Sequence, residues 1–159
     1  MDIQSAAGFT GCLSKATLAA GTTTTISTTG TTVYAIKGKA YSAAALTNGT
    51  TPTTDVVDGL AFTAVGVNQG SLFVHGFNAA GALKVAQGSV VDLDASGNFI
   101  SAPANPALPD DFAPFAYLLI KVGSTGAAWT YGTSNQSAAT GVTYTRQDVI
   151  AMPDRLQIS

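Results

Sequence analysis

An all-β fold, an antiparallel β-sandwich or barrel with an extended N-terminal arm, is what this sequence predicts. Three observations carry the expectation. Glu is absent and Lys is scarce while Thr is abundant, so the best helix formers are missing and residues suited to extended backbone replace them. Short runs of alternating apolar and polar residues recur along the chain. Turn residues break those runs every eight to twelve positions or so, the spacing of a sandwich or barrel.

Residues 1–30 stand apart in composition. Met1 to Ala20 is small, polar and weakly patterned, and Ile3, Phe9, Leu13 and Leu18 are its apolar anchors. Gly21 to Thr32 is mostly Thr, Ser and Gly, a tract that serves as linker or as edge strand. Too few apolar residues are present for this segment to build a core of its own. The expectation is an arm that becomes ordered against a partner, with those four anchors as partner-binding residues.

A β domain over residues 31–159 follows. Val33 to Lys37 reads as a strand, and Lys39 to Leu46 continues it after Gly38. Thr47 to Asp58 is a loop, with Asn48-Gly49 and Pro52 as turn residues. Leu60 to Val67 and Ser71 to Phe77 read as strands joined by a short hairpin loop at Asn68-Gln69-Gly70. Asn78 to Gly81 is a turn into Leu83 to Val85 and Ser89 to Leu93, which are split at Gln87-Gly88. Asp94 to Asn98 turns the chain into Phe99-Ile100. Residues 101–114 hold four of the six prolines and read as an irregular surface crossing. Phe115 to Val122 is the most apolar run and is expected at the centre of a sheet. Gly123 to Gly126 is a hairpin turn into Ala127 to Tyr131, and Val142 to Arg146 is the last clear strand. Asp148 to Met152 suits a strand or one helical turn, ended by Pro153.

Charge excludes several function classes. The chain has 159 residues, and its seven basic and nine acidic side chains make up only 10% of them, against about 25% in a typical domain. A globule of this size exposes roughly 7,000 Å², so charges are spaced at about one per 450 Å². Two explanations fit: Thr, Ser, Asn and Gln solvate the surface, and partners cover part of it. The net charge of −2 gives no basic patch for phosphate, so no nucleic acid is expected. No apolar run approaches the roughly 20 residues that span a bilayer, so no membrane partner is expected. The N-terminus has no basic segment leading into an apolar one, hence no expected signal peptide. Cys12 is the only cysteine, which rules out an internal disulfide and suits synthesis in a reducing cytoplasm.

No arrangement of residues assembles into a catalytic centre. Asp92-Leu93-Asp94-Ala95-Ser96-Gly97 matches the first half of a calcium loop, but the acid needed at its twelfth position falls on Pro103. An Asp-rich turn explains the same residues. Asp110-Asp111 are adjacent, so their carboxylates diverge, whereas glycosidases set two across a cleft. His75 alternates with Phe73 and Phe77 and is expected to be a hydrogen-bonded, partly buried residue. Cys12 has no base near it in sequence. The chain has no GxSxG, phosphate-loop, GxGxxG or HExxH pattern. Tyr34, Tyr41, Tyr117, Trp129, Tyr131 and Tyr144 would suit a sugar-binding face, but aromatics on strands more often belong to a core or its rim. No enzyme, cofactor or metal is expected.

Several stretches taken together resemble a known group. They are Cys12-Leu13-Ser14-Lys15 with the Thr tract, Tyr34-Ala35-Ile36-Lys37-Gly38-Lys39-Ala40, and Leu108-Pro109-Asp110-Asp111-Phe112-Ala113-Pro114-Phe115-Ala116-Tyr117. Trp129-Thr130-Tyr131-Gly132-Thr133-Ser134-Asn135 and Pro153-Asp154-Arg155 complete the set. The pattern resembles small virion structural proteins of tailed bacteriophages, of the head decoration type. The resemblance implies a β-rich protein of the outer head surface, made in the host cytoplasm. It also implies the major capsid protein as partner and a homo-oligomer, with a trimer suited to three-fold positions on the shell. A tail-fibre or receptor-binding, carbohydrate-binding virion module is the rival expectation. A major capsid or tail-tube subunit ranks below both, because the chain is short and lacks a long helix.

Overall fold

The computed structural model describes residues 8–150. Ten strands are present among them: β1 (Gly11–Cys12), β2 (Ala19–Ala20), β3 (Ile26–Ser27), β4 (Thr32–Ile36), β5 (Lys39–Ala43), β6 (Gln69–Phe77), β7 (Leu83–Gln87), β8 (Val91–Asp92), β9 (Ala113–Val122) and β10 (Val142–Asp148). No helix occurs among the described residues, and every strand pairing is antiparallel, so the fold is all-β.

The strands form two main sheets and one small ribbon. A five-stranded sheet runs in the order β10-β9-β6-β7, with β8 also paired to β6. A three-stranded sheet runs β1-β4-β5, and β2 pairs with β3 alone. Both main sheets are open, and they meet face to face. Cys12, Tyr34, Ile36 and Ala43 of the small sheet pack on Phe77, Ala113, Phe115 and Ala116 of the large one. Tyr34, Phe77 and Phe115 stack in a row, with ring centroids 5.5 Å and 4.8 Å apart.

Strands β6 and β9 are buried along nearly their whole length, because both faces of the large sheet are covered. Phe73, Leu118, Ile120 and Val122 on one face meet Phe62, Val65, Trp129 and Tyr131 from the long connections. Leu72, Val74, Tyr117 and Leu119 on the other face are covered by Phe112, Leu108, Phe99 and Val56. Burial on both sides explains why Phe115 to Val122 reads as a nearly unbroken apolar run. The proline-rich crossing of residues 101–114 lies over that second face. At Gly76 the strand shifts register, and an added Cβ there would come 2.5 Å from the Phe112 ring. Glycine lets the crossing lie this close to the strand.

Short-range signals were legible. Ile36 pairs with Lys39 across a two-residue turn, and Lys37 and Gly38 have φ of 50° and 78°, both positive as a type I′ turn requires. The chain therefore folds back after Gly38 as a hairpin, whereas Lys39 to Leu46 was expected to continue the strand. Asn78 to Gly81 closes the β6–β7 hairpin, with the Asn78 carbonyl accepting from the Gly81 amide at 2.9 Å. Asp94 to Asn98 forms the expected turn, with Gly97 at φ 79°.

Long-range pairing differs from the expectation in four places. Leu60 to Val67 is not a strand; it makes isolated bridges, Thr54 with Ala61 and Val65 with Trp129, although Phe62 and Val65 are buried. Ala127 to Tyr131 likewise has one bridge, at Trp129, and β10 takes the place beside β9 instead. The Gly123 to Gly126 turn does form, with a 3.0 Å bond from the Gly126 amide to the Gly123 carbonyl, but it leads into a loop. Gln69 and Gly70 belong to β6, not to a hairpin loop, because they pair with both β8 and β9.

The boundary expected at residue 30 falls inside one packed unit. Residues 1–7 lie outside the described residues. From residue 8 onward the segment joins the core: Cys12, Ala16, Leu18 and Ile26 are buried with Tyr34 and Phe115. β1 pairs with β4, and the Cys12 amide donates to the Ile150 carbonyl at 2.7 Å. The Thr tract is held through side chains: the Thr25 hydroxyl donates to the Thr22 carbonyl at 2.7 Å, and the Thr51 hydroxyl to the Thr24 carbonyl at 2.7 Å. The segment needs few apolar residues of its own because it borrows the floor of the large sheet.

Candidate docking face and buried polar cluster

The expected partner-binding residues separate in the structure. Ile3 lies outside the described residues. Leu18 is only 7% exposed, and its amide donates to Asp148 Oδ1 at 2.8 Å. It is committed to the protein's own core and is not available as an anchor. Phe9 and Leu13 are 38% and 57% exposed.

Strand register explains the difference. Cys12 stands opposite Tyr34, and Tyr34 opposite Tyr41, all pointing toward the large sheet. Alternation then sends Phe9, Gly11 and Leu13 to the outer side, together with Val33, Ala35, Ala40 and Ser42. The Phe9 ring lies by Gly11, where an added Cβ would approach it to 3.1 Å. Val33 is exposed beside Leu13, whose amide donates to the Val33 carbonyl at 2.8 Å. Ile150, also exposed, reaches the same rim through its bond to Cys12. A cleft of about 280 Å³ continues the surface, lined by Leu13, Ser14, Lys15, Gln147, Asp148, Val149 and Ile150. Lys15 and Asp148 pair in it at 3.6 Å. Sequence reasoning identified Phe9 and Leu13 but missed Val33 and Ile150.

Residues considered for chemistry have structural duties. Asp94 Oδ1 accepts from the Ser96 and Asn98 amides at 2.8 and 2.9 Å, and the Asn98 amide above all holds its carboxyl below the usual range. Asp92 accepts from Gln69 Nε2 at 3.0 Å. Asp110 pairs with Lys37 on the surface at 3.1 Å. No group of three metal-ligating side chains occurs among the described residues. The Cys12 thiol is buried, and burial followed by the charge of Asp148 raises its pKa to about 11. Tyr34, Tyr117, Trp129 and Tyr131 are buried, so they form a core and not a sugar platform.

One polar cluster lies inside that core. His75 is fully buried, and its Nε2 meets the Tyr131 hydroxyl at 2.7 Å. Trp129 and Phe73 close around Tyr131 at ring-centroid distances of 6.0 and 5.1 Å. Arg146 of β10 donates to the Gln136 carbonyl, and Gln136 is completely buried. Burial first, and the Arg146 charge second, lower the His75 pKa to about 3, while the nearby Phe73 carbonyl acts weakly the other way. The structure made His75 wholly buried where the sequence suggested partial burial. Gln136 and Arg146 were not anticipated, because nothing in a loop sequence shows which polar residue will be enclosed.

The folded protein keeps His75 neutral down to about pH 3, whereas the unfolded chain protonates it near 6.5. Stability from this residue is intact above pH 6.5 and falls as pH drops toward 3. The loss is about 1.4 kcal/mol per unit, or roughly 3 kcal/mol by pH 4. Urea unfolding at pH 7 and pH 4 checks this. His75→Gln, whose amide can still meet Tyr131, should show a pH 4 penalty smaller by that amount, and equal penalties in the two proteins would refute the assignment.

The fold and site so defined are an antiparallel all-β domain with an apolar outer face and a polar interior cluster. Comparison with protein-family models, with curated proteins and with solved structures finds no match in any of the three.

Proposed function

We propose that the protein is a non-enzymatic virion structural subunit of a tailed bacteriophage, a head decoration protein that stabilises the shell by protein–protein contact. The observation that carries this reading is the outer face of the β1-β4-β5 sheet. Phe9, Leu13, Val33 and Ile150 stand exposed on it, around Gly11, which has no side chain, and the small Ala40. Exposed apolar residues grouped in this way mark docking surfaces. Sparse charge over the rest of the molecule and the sequence resemblance support the same reading. The major capsid protein is the partner for this face, and a homotrimer is the assembly that suits three-fold shell positions.

Charge placed on the face tests the proposal. Leu13→Asp and Phe9→Asp should leave unfolding unchanged, because both residues are exposed. Each should weaken binding to undecorated phage heads by roughly 10- to 100-fold, the effect of losing an apolar anchor worth about 1.5–3 kcal/mol. Cosedimentation with heads reads the binding, and light scattering reads the oligomer. Unchanged cosedimentation of both variants rules this face out. A few copies found at the tail tip, instead of hundreds on the head, would favour the receptor-binding reading.

A further inference from the structure

Strand β5 ends the order β1-β4-β5, and among the described residues no strand lies beyond it. Register fixes where its main chain points. The Val33 carbonyl accepts from the Leu13 amide at 2.8 Å, and the Val33 amide donates to Ser14 Oγ at 2.8 Å. Val33 therefore directs both main-chain groups toward β1. Its partner across the hairpin is Ser42, and two positions on, Ala35 stands between Gly11 of β1 and Ala40 of β5. Where one residue of an antiparallel pair turns its main chain outward, the residue opposite does the same. The N–H and C=O groups of Ala40 and Ser42 thus leave β5 on the side away from β4. Both residues are exposed.

Natural sheet edges are commonly blunted by charge, proline or a bulge. β5 contains no proline, and its register with β4 runs without a shift from Lys39 to Ala43. Lys39 is its one charge, and it stands at the end of the strand with its ammonium 5.4 Å from the Tyr41 ring.

We propose that β5 pairs with β5 of a second copy of this chain, antiparallel, about a two-fold axis at Tyr41. Tyr41 is the middle residue of Lys39–Ala43, so this centring alone pairs the whole strand with its copy. Ala40 then faces Ser42 of the second copy, and their outward N–H and C=O groups exchange hydrogen bonds. An axis at Ala40 or at Ser42 leaves the other of these two residues facing a position outside the strand. Lys39 faces Ala43 of the second copy, so the two ammonium groups lie at opposite ends of the seam. Tyr41, half-buried and stacked on Tyr34 at 5.7 Å, meets its own copy across the axis, where an aromatic pair is favourable. The two three-stranded sheets become one, and their apolar outer faces become continuous. This pairing needs no shell and does not rest on the reading above. A two-fold seam and a three-fold assembly can coexist, with trimers then joined in pairs.

Ala40→Pro removes an outward N–H and no bond within the hairpin, a position where an edge strand tolerates proline. Light scattering over a dilution series should give the unaltered protein twice the mass of this variant. The pair of masses is dimer and monomer, or six copies and three if the trimer also forms. Equal masses at every concentration refute the seam, whatever the oligomer. A two-to-one ratio of dimer to monomer upholds it and counts against the trimer alone. Introduced cysteines read the register. Tyr41→Cys should give a disulfide-linked pair on mild oxidation, because residues facing each other across the axis have Cα atoms about 4.5 Å apart, within disulfide range. Lys39→Cys should not, since Ala43 faces it. These two variants decide the matter if the proline variant does not fold. No cross-link at position 41, or equal cross-linking at 39 and 41, overturns the proposal.

Discussion

Deleting residues 2–20 should prevent folding, not yield a folded domain that has lost an arm. Three buried side chains leave with the segment, Cys12, Ala16 and Leu18, and so does strand β1. Loss of a buried leucine alone typically costs about 2–5 kcal/mol. The vacated floor would expose parts of Tyr34, Phe77 and Phe115, which pack in the same cluster. The carboxylate of Asp148 would lose both the Leu18 amide and Lys15. Together these losses approach the whole stability of an ordinary domain, about 5–15 kcal/mol. Circular dichroism and urea titration of the truncated chain read the outcome. A cooperative transition with an unchanged midpoint would show that the segment is dispensable to the fold. Leu18→Ala alone gives the graded version, a loss of about 2–4 kcal/mol in an otherwise intact chain.

The second large effect is expected at Phe73. This ring touches Phe62, Trp129 and Tyr131 at centroid distances of 5.9, 5.5 and 5.1 Å. It is fully buried at the middle of β6, where no neighbour can collapse into its place without breaking sheet register. Phe73→Ala should cost about 3–5 kcal/mol, from lost transfer energy and the cavity left behind. Part of the loss comes from the aromatic contacts themselves, about 0.5–1.5 kcal/mol per pair. Thr145→Ala on the exposed side of β10 serves as control and should shift stability by no more than about 0.5 kcal/mol. Phe73→Ala falling within the control's range would mean that the ring cluster does not organise this half of the core.

The fold class was legible because it depends on local chemistry. The Asn78 to Gly81 turn and the Asp94 to Asn98 turn are fixed by residues within a few positions of one another, though the Lys37-Gly38 turn went unread and the strand was expected to run on through it. The central place of Phe115 to Val122 was legible too, since burial on both faces leaves an unbroken apolar run. Pairing over distance was not. Leu60 to Val67 has the composition of a strand, but Phe62 and Val65 are used as plugs over the sheet and not as ladder members. Nothing in the local pattern separates those two uses. For the same reason the first thirty residues looked too poor in apolar residues for a core of their own, while from residue 8 onward they share the core over the large sheet. The candidate face was half visible: Phe9 and Leu13 were chosen as apolar anchors and stand exposed, while Leu18, chosen on the same ground, is buried in the core. Gln136 and Arg146 were invisible, because enclosure of a loop residue is a property of the whole fold.

The early part of the chain closes against its last strand: the Leu18 amide holds Asp148 across a sequence separation of 130 residues, and Cys12 holds Ile150 close by. During synthesis the small sheet can form its hairpin early, but its floor arrives only when β9 and β10 have left the ribosome. Until then Tyr34, Ile36 and Leu18 have no cover, and a charge-poor nascent chain has little to keep it from its neighbours. Folding of such a topology is governed by the slow meeting of distant segments. The protein is therefore exposed to aggregation for most of its time on the ribosome, and cooler, slower expression should give the higher soluble yield.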